Sequence, residues 1–221
     1  MGISHMKKMI ISIICLILFL VSLAWGQEKV EAPTINVGSK WFLRTDTGQE
    51  WRLEAIGEEN GKYILLKSIS EGLYKGEWKQ FYDKKTMNCV KVLNGEGRED
   101  LESKGFIKKY YDFPLYSGKK WNYIYTSMHG MGSNKFVDIL SRFLVVGFGE
   151  VNVTAGRFRA VKVQNEQNAL GGCHCQSKSY RKNYFWYSPD AKTILKFERD
   201  PNGYRLGAEY MKYELISFEL K

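Results

Sequence analysis

Past residue 26 the chain is a series of short runs in which apolar and polar positions alternate. Trp51-Arg52-Leu53-Glu54-Ala55-Ile56 and Phe158-Arg159-Ala160-Val161-Lys162-Val163 have the period of two that marks a strand with one buried face. Lys40 to Arg44 and Trp51 to Ile56 flank Asp46-Thr47-Gly48 and read as a hairpin. Lys62 to Lys67 follows Glu59-Asn60-Gly61, where Asn-Gly supplies the positive φ angles of a type I′ turn. Trp78 to Tyr82 and Asn88 to Leu93 flank Asp83-Lys84-Lys85-Thr86, a third hairpin. Asn122 to Tyr125 and Phe136 to Gly147 enclose a Gly-rich tip, residues 128–134. The strand from Phe158 returns as Asn183 to Tyr187 across a connection at 164–182, and Arg205 to Gly207 and Met211 to Leu220 close the chain. These runs make about ten strands, enough that a twisted sheet must curl or close. One short helix is predicted within Arg98 to Tyr111, with acids early and lysines late, in a connector spanning 94–117.

The second half repeats the first. Gly38-Ser39-Lys40-Trp41 recurs as Gly118-Lys119-Lys120-Trp121. Tyr82 to Lys91 resembles Tyr187 to Lys196, and Ile56-Gly57 to Lys67 parallels Val146-Gly147 to Lys162. The expected fold is therefore all-β: a single domain over 27–221, an antiparallel meander of two related halves (about 36–93 and 116–198). It curves into a half-barrel or open barrel with at most one or two short helices.

The first 26 residues differ from the rest. Lys7 and Lys8 precede an almost wholly apolar run from Met9 to Ala24, and Ala24-Trp25-Gly26 places small residues at −3 and −1 of a cut before Gln27. This is the pattern of a secretory signal peptide. Cys15 lacks the small residue that a lipidation site requires just before it. Removing the leader takes away two Lys and no acid, lowering the formal charge from +9 to +7. No second long apolar run follows, so the released protein is not an integral membrane protein, and it is placed in the periplasm or outside the cell.

Phe113-Pro114-Leu115 with Gly118-Lys119 and Trp121, then Val146, Glu150-Val151, Val153, Ala155-Gly156, Phe158, Ala160 and Lys162, then Trp186-Tyr187-Ser188-Pro189, form a further pattern. It resembles a group of exported bacterial β-rich domains of unknown function. Thr154 stands where that pattern has Pro. The resemblance covers about half the chain. It implies a curved antiparallel sheet similar to the periplasmic lipoprotein-carrier half-barrel, with no catalytic residues to carry over.

The chemistry in the sequence is sparse. Beyond the leader there are three cysteines, Cys89, Cys173 and Cys175, and two histidines, His129 and His174. Cys173-His174-Cys175 admits three readings: a disulfide, either from Cys89 to one of the pair or as a strained Cys173–Cys175 ring, a free or intermolecular thiol, or a soft-metal site. His129 lies in a Met128-His129-Gly130-Met131 hairpin tip and reads as solvent-exposed. No nucleophile elbow is present, so the chain is read as no enzyme, with no cofactor. Basic residues interleave with aromatics, as in Lys108-Lys109-Tyr110-Tyr111 and Arg157-Phe158-Arg159. Export argues against nucleic acid, and strand alternation alone places Lys and Arg outward. The leading function is an envelope protein without catalysis that binds an amphipathic or hydrophobic ligand, such as a lipid, on a concave sheet face. Trp41, Trp121 and Trp186 are the expected lining, and Lys119 or Lys120 the partner of an anionic head. The alternatives are a metal- or redox-handling protein using the Cys173-His174-Cys175 loop, and an interaction subunit that meets another envelope protein.

If the leader is cleaved before Gln27, the intact mass of protein recovered from the native envelope lacks residues 1–26. Recovery of the full chain in the membrane fraction would show an uncleaved anchor instead.

Overall fold

The computed structural model describes residues 27–72, 75–99, 109–128, 136–170, 180–200 and 212–221. The chain forms β1 (Lys29–Val30), β2 (Lys40–Thr45), β3 (Glu50–Glu59), β4 (Lys62–Ile69), β5 (Gly76–Asp83), β6 (Cys89–Asn94) and β7 (Leu115–Tyr116). It continues through β8 (Lys120–Met128), β9 (Phe136–Val153), β10 (Gly156–Leu170), β11 (Tyr180–Ser188), β12 (Thr193–Arg199) and β13 (Lys212–Glu219). The described residues contain no helix. Most of the predicted helical stretch, like the leader and Arg205 to Gly207, lies outside them, and Lys109 to Tyr111 is irregular.

Eleven strands make one antiparallel sheet in the order β6-β5-β4-β3-β2-β13-β12-β11-β10-β9-β8, while β1 and β7 pair separately. Two five-stranded meanders, β2 to β6 and β8 to β12, are thus joined edge to edge by β13. The sheet is open, with β6 and β8 at its ends, and is not closed into a barrel. The predicted turns are in place: Asn60 and Gly61 both have positive φ, as a type I′ turn requires. Asp83 Oδ1 accepts from the Lys85 and Thr86 amides at the β5–β6 turn.

The halves share their irregularities as well as their strands. Gly38 and Gly118 take φ of 89° and 83° before β2 and β8. The β3–β4 register slips at Ile56 and the β9–β10 register at Val146, leaving both side chains exposed. The β5–β6 and β11–β12 registers slip at Val90 and Leu195, after Met87 and Lys192 with φ of 52° and 55°. Such bulges bend a strand and increase its twist. They also correct the alignment between the halves: Ile64, not Lys67, stands opposite the bulge glycine as Lys162 does.

The strand after Phe158 is longer than the pattern predicts. Strand β10 runs on to Leu170 and β11 starts at Tyr180, so the expected connection at 164–182 is mostly sheet. The inward positions there are polar, Asn165 and Gln167, which hid the alternation. Both are buried. Asn165 Nδ2 donates to Ser141 Oγ at 2.7 Å and Asn183 Nδ2 to Asn165 Oδ1 at 3.2 Å, so the amides meet one another rather than water.

Two segments without regular structure cover much of the inner face. Residues 31–37 bring Ile35 into the cluster of Trp41, Leu43, Ala55, Leu65, Leu195 and Leu215. Residues 110–116 lay Tyr111, Phe113 and Leu115 over Phe185 and Tyr187. Asn88 fixes the second segment by a reciprocal pair of bonds: its amide donates to Tyr111 O at 2.9 Å and accepts from Tyr111 N at 3.0 Å. The β9–β10 tip bends across the β11–β12 turn to β13. There Ala155 N donates to Leu215 O at 3.2 Å, although β10 and β13 are three strand steps, roughly 14 Å, apart along the sheet.

Trp41 ties the first meander to the second by donating Nε1 to Ala191 O at 2.7 Å from a site 1% exposed. Its repeat counterpart Trp121 has a buried Nε1 with no hydrogen-bond partner among the described residues. Trp41→Phe therefore removes a buried hydrogen bond and leaves a void, lowering the unfolding free energy by about 2–4 kcal/mol. Trp121→Phe loses only volume, about 1 kcal/mol. Urea denaturation of the two variants checks the difference.

Candidate functional site

The structure sets Trp121 apart from the other two tryptophans expected to share a surface. Trp41 is sealed in the first cluster. Trp121, on the edge strand β8, lies six strand steps from β2, roughly 29 Å along the sheet. It stacks on Phe143 at 4.9 Å and 3°. Trp186 alternates with Phe185 and Tyr187, which are buried in the second cluster, and is itself half-buried against the cluster that holds Trp41. It sits between Lys162 at 5.0 Å and Lys196 at 5.5 Å, its neighbours on β10 and β12.

The two lysines expected to meet an anionic head are placed elsewhere too. Lys119 Nζ donates to Pro114 O at 3.1 Å and to Asp112 O, and pairs with the Asp112 carboxylate at 2.9 Å. It holds the 112–114 turn and is not free for a ligand. Lys120 is exposed, and the strand period sends it to the face opposite Trp121. The outer face carries charge pairs: Arg44 with Glu50 at 2.7 Å and Lys40 with Glu54 at 3.9 Å across β2 and β3, and Lys196 with Glu198 at 2.7 Å along β12. The interleaving of basic and aromatic residues seen in the sequence is, on β10 to β12, this solvated face.

The inner face of the first half is different. Its registers define three rows: Leu43, Trp51 and Ile69; Trp41, Leu53, Lys67, Trp78 and Asn94; Ala55, Leu65, Gln80 and Val92. Near β2 the rows are buried. Toward β6 they are half-buried: Trp51, Leu53, Lys67, Trp78, Gln80, Val92 and Asn94 all keep some solvent exposure. Lys67 is the one charged side chain in these rows. Its Nζ stands 5.3 Å from the centre of the Trp51 ring, and burial pulls its ammonium below the usual lysine range. Tyr82 donates its hydroxyl to Gln80 Oε1 at 3.0 Å, which turns the Gln80 amide nitrogen away as a donor. Trp51 meets Tyr213 edge-on at 5.1 Å, which fixes the ring under Lys67.

The equivalent row of the second half is Trp121, Phe143, Asn165, Asn183 and Arg199. Where the first half has Lys67 and Trp78, the second has two amides bonded to each other. At these two positions the second half bonds amide to amide, while the first half places a cation beside a tryptophan.

Lys67, Trp78 and Gln80 were absent from the sequence-based site. A signal for Lys67 was there: it shares the phase of Tyr63, Leu65 and Ile69, so it points inward with them. Between the two halves Tyr82, Tyr111, Tyr187 and Tyr213 gather, and burial pushes all four phenols up, so they stay protonated. Among the described residues no three His, Cys, Asp or Glu side chains converge as metal ligands. Cys89 opens β6, half-buried, with a free thiol whose Sγ is 3.5 Å from Lys91 O. Cys173, His174, Cys175 and His129 lie outside the described residues.

No family model and no curated protein sequence matches the chain. Among solved structures it is similar to a Bacteroides fragilis protein described as exported and as having a YmcC-like fold. That match has 13% identity, covers 86% of this chain and 99% of that one, and has a TM-score of 0.42. It is also similar to YmcC from Escherichia coli K12, described as a hypothetical lipoprotein (15% identity, 83% of each chain, TM-score 0.41). A third similar structure, described as a lipoprotein, is from Parabacteroides distasonis (14% identity, 87% and 100%, TM-score 0.42). No residue role passes across a likeness of this degree.

Burial pushes the Cys89 thiol up to about 11. Its thiolate is then scarce at pH 8, and alkylation by iodoacetamide runs on the order of a hundredfold slower than for an unstructured cysteine. Mass spectrometry of Cys89 labelling over time measures this, and a rate within a few-fold of the free amino acid would contradict it.

Proposed function

We propose that this chain is an exported envelope protein that works without catalysis, binding an amphipathic or hydrophobic ligand on the inner face of its curved sheet. The observation that carries the reading is the half-covered strip from β3 to β6. Nearer the seam the inner face is filled by residues 31–37 and 110–116, while here Trp51, Leu53, Trp78 and Val92 keep solvent exposure beside the cation of Lys67. A surface of large apolar side chains beside polar groups is the usual make-up of a ligand site. The leader pattern supports export, and the scarcity of histidine beyond it, His129 and His174 alone, supports a role without catalysis.

A second reading, an interaction subunit, is favoured by the second half. Its inner face nearest the seam is packed around Phe185, Val163 and Val145, all fully buried. The two readings differ at Trp78. In a binding protein, titration with dodecyl maltoside below its micelle concentration gives a saturable tryptophan fluorescence change. Trp78→Ala then weakens it by about tenfold or more, and Trp121→Phe leaves it unaltered. Absence of any saturable change in the wild type would remove the ligand reading and favour the interaction subunit.

A further inference from the structure

A lysine on the buried phase of a strand is costly unless its charge is met. Lys67 projects from the middle of the first half's inner face, flanked across the sheet by Leu53 and Trp78 and along its strand by Leu65 and Ile69. Trp51 lies beneath the ammonium, and Gln80 offers an amide donor from the adjoining row. None of the groups packed around it is acidic, and among the described residues no carboxylate pairs with Lys67. The other half, built on the same plan, resolves this position with Asn165 bonded to Ser141 and Asn183. At this position the cation belongs to the first half only, on the side where the strip is half-covered.

The site therefore consists of donors set in apolar surroundings. Lys67 and Gln80 suit a single anionic group of oxygen atoms. Trp78 and Val92, reaching toward β6, suit the hydrocarbon attached to it. From Lys67 on β4 to Val92 on β6 the strip spans two strand steps, about 10 Å, most of the length of a medium acyl chain. Building on the proposed inner-face function, we infer that Lys67 anchors the carboxylate of a single-chain fatty acid whose tail lies along this strip. Burial of the head between Trp51 and Trp78 strengthens the ion pair relative to water, and the bound carboxylate satisfies the ammonium that the empty face leaves without a counter-charge.

The test compares wild type, Lys67→Met and Lys67→Arg, purified from the native compartment. Calorimetric titration uses dodecanoate, neutral dodecyl maltoside and cationic dodecyltrimethylammonium, each below its micelle concentration. Wild type binds dodecanoate at least about tenfold tighter than the maltoside and rejects the cation. Lys67→Met loses that preference but keeps the maltoside, and Lys67→Arg retains it. Lys67→Met also unfolds at a higher urea concentration, because it removes a desolvated charge. A merely structural lysine would give the opposite shift. Equal affinity of wild type for dodecanoate and maltoside, an unaltered preference in Lys67→Met, or a lowered urea midpoint in that variant would overturn the role of Lys67. Failure of wild type to bind any of the three amphiphiles would instead count against the inner-face function itself.

Discussion

Strand β13 holds two meanders in one sheet, and the rest of the structure depends on that seam. It pairs with β12 through three residue positions and with β2 through six. The narrower side is reinforced by side chains. Phe197 stacks on Tyr213 at 5.2 Å and 5°, Thr154 donates to Glu214 at 2.6 Å from the β9–β10 tip, and Phe158 meets Phe218 at 5.7 Å. Trp41 adds its bond to Ala191. Backbone pairing sets the order of strands, and these contacts from outside the ladder keep the seam from opening.

The same seam explains how the inner face divides. With the halves joined at β13, the tyrosines and apolar residues nearest it are buried from both directions, and residues 31–37 and 110–116 fill what remains. Coverage thins with distance from the seam. On the second half the thinning is offset by Asn165, Ser141 and Asn183, which bond to each other. On the first half it leaves Lys67 among Trp51 and Trp78. Lys67 thus lies where the fold gains least from its own packing.

Much of the architecture was legible in the sequence, because turns are local. Asn60-Gly61, Gly38 and Gly118 need particular φ values, and their spacing exposed the meander and its second copy. What escaped notice depended on partners distant in the chain. Strand β10 was cut short because Asn165 and Gln167 are buried by amides from other strands, which no alternation of apolar residues reveals. Trp186 and its neighbours Phe185 and Tyr187 pack against different clusters, a division that strand alternation alone does not show. Lys119 looked like a free cation, and only the return of Asp112 and Pro114 to the same place shows that it is occupied. Lys67 was passed over as one more outward lysine, although its phase with Leu65 and Ile69 marked it.

The position of β13 in the chain has a consequence for how the protein is made. Leu43 pairs with Leu215, so an edge laid down near the beginning waits for a strand that emerges after nearly everything else. Each meander can zip up from neighbouring hairpins. Joining them requires closing a loop of some 170 residues, a slow, non-local step. Until then β2 presents a row of bare amides and carbonyls to any passing chain. Its outward side chains Lys40 and Arg44 are positively charged, a common guard on a strand that must stay single. Assembly of this sheet is therefore completed at its centre, with the outermost strands formed earlier.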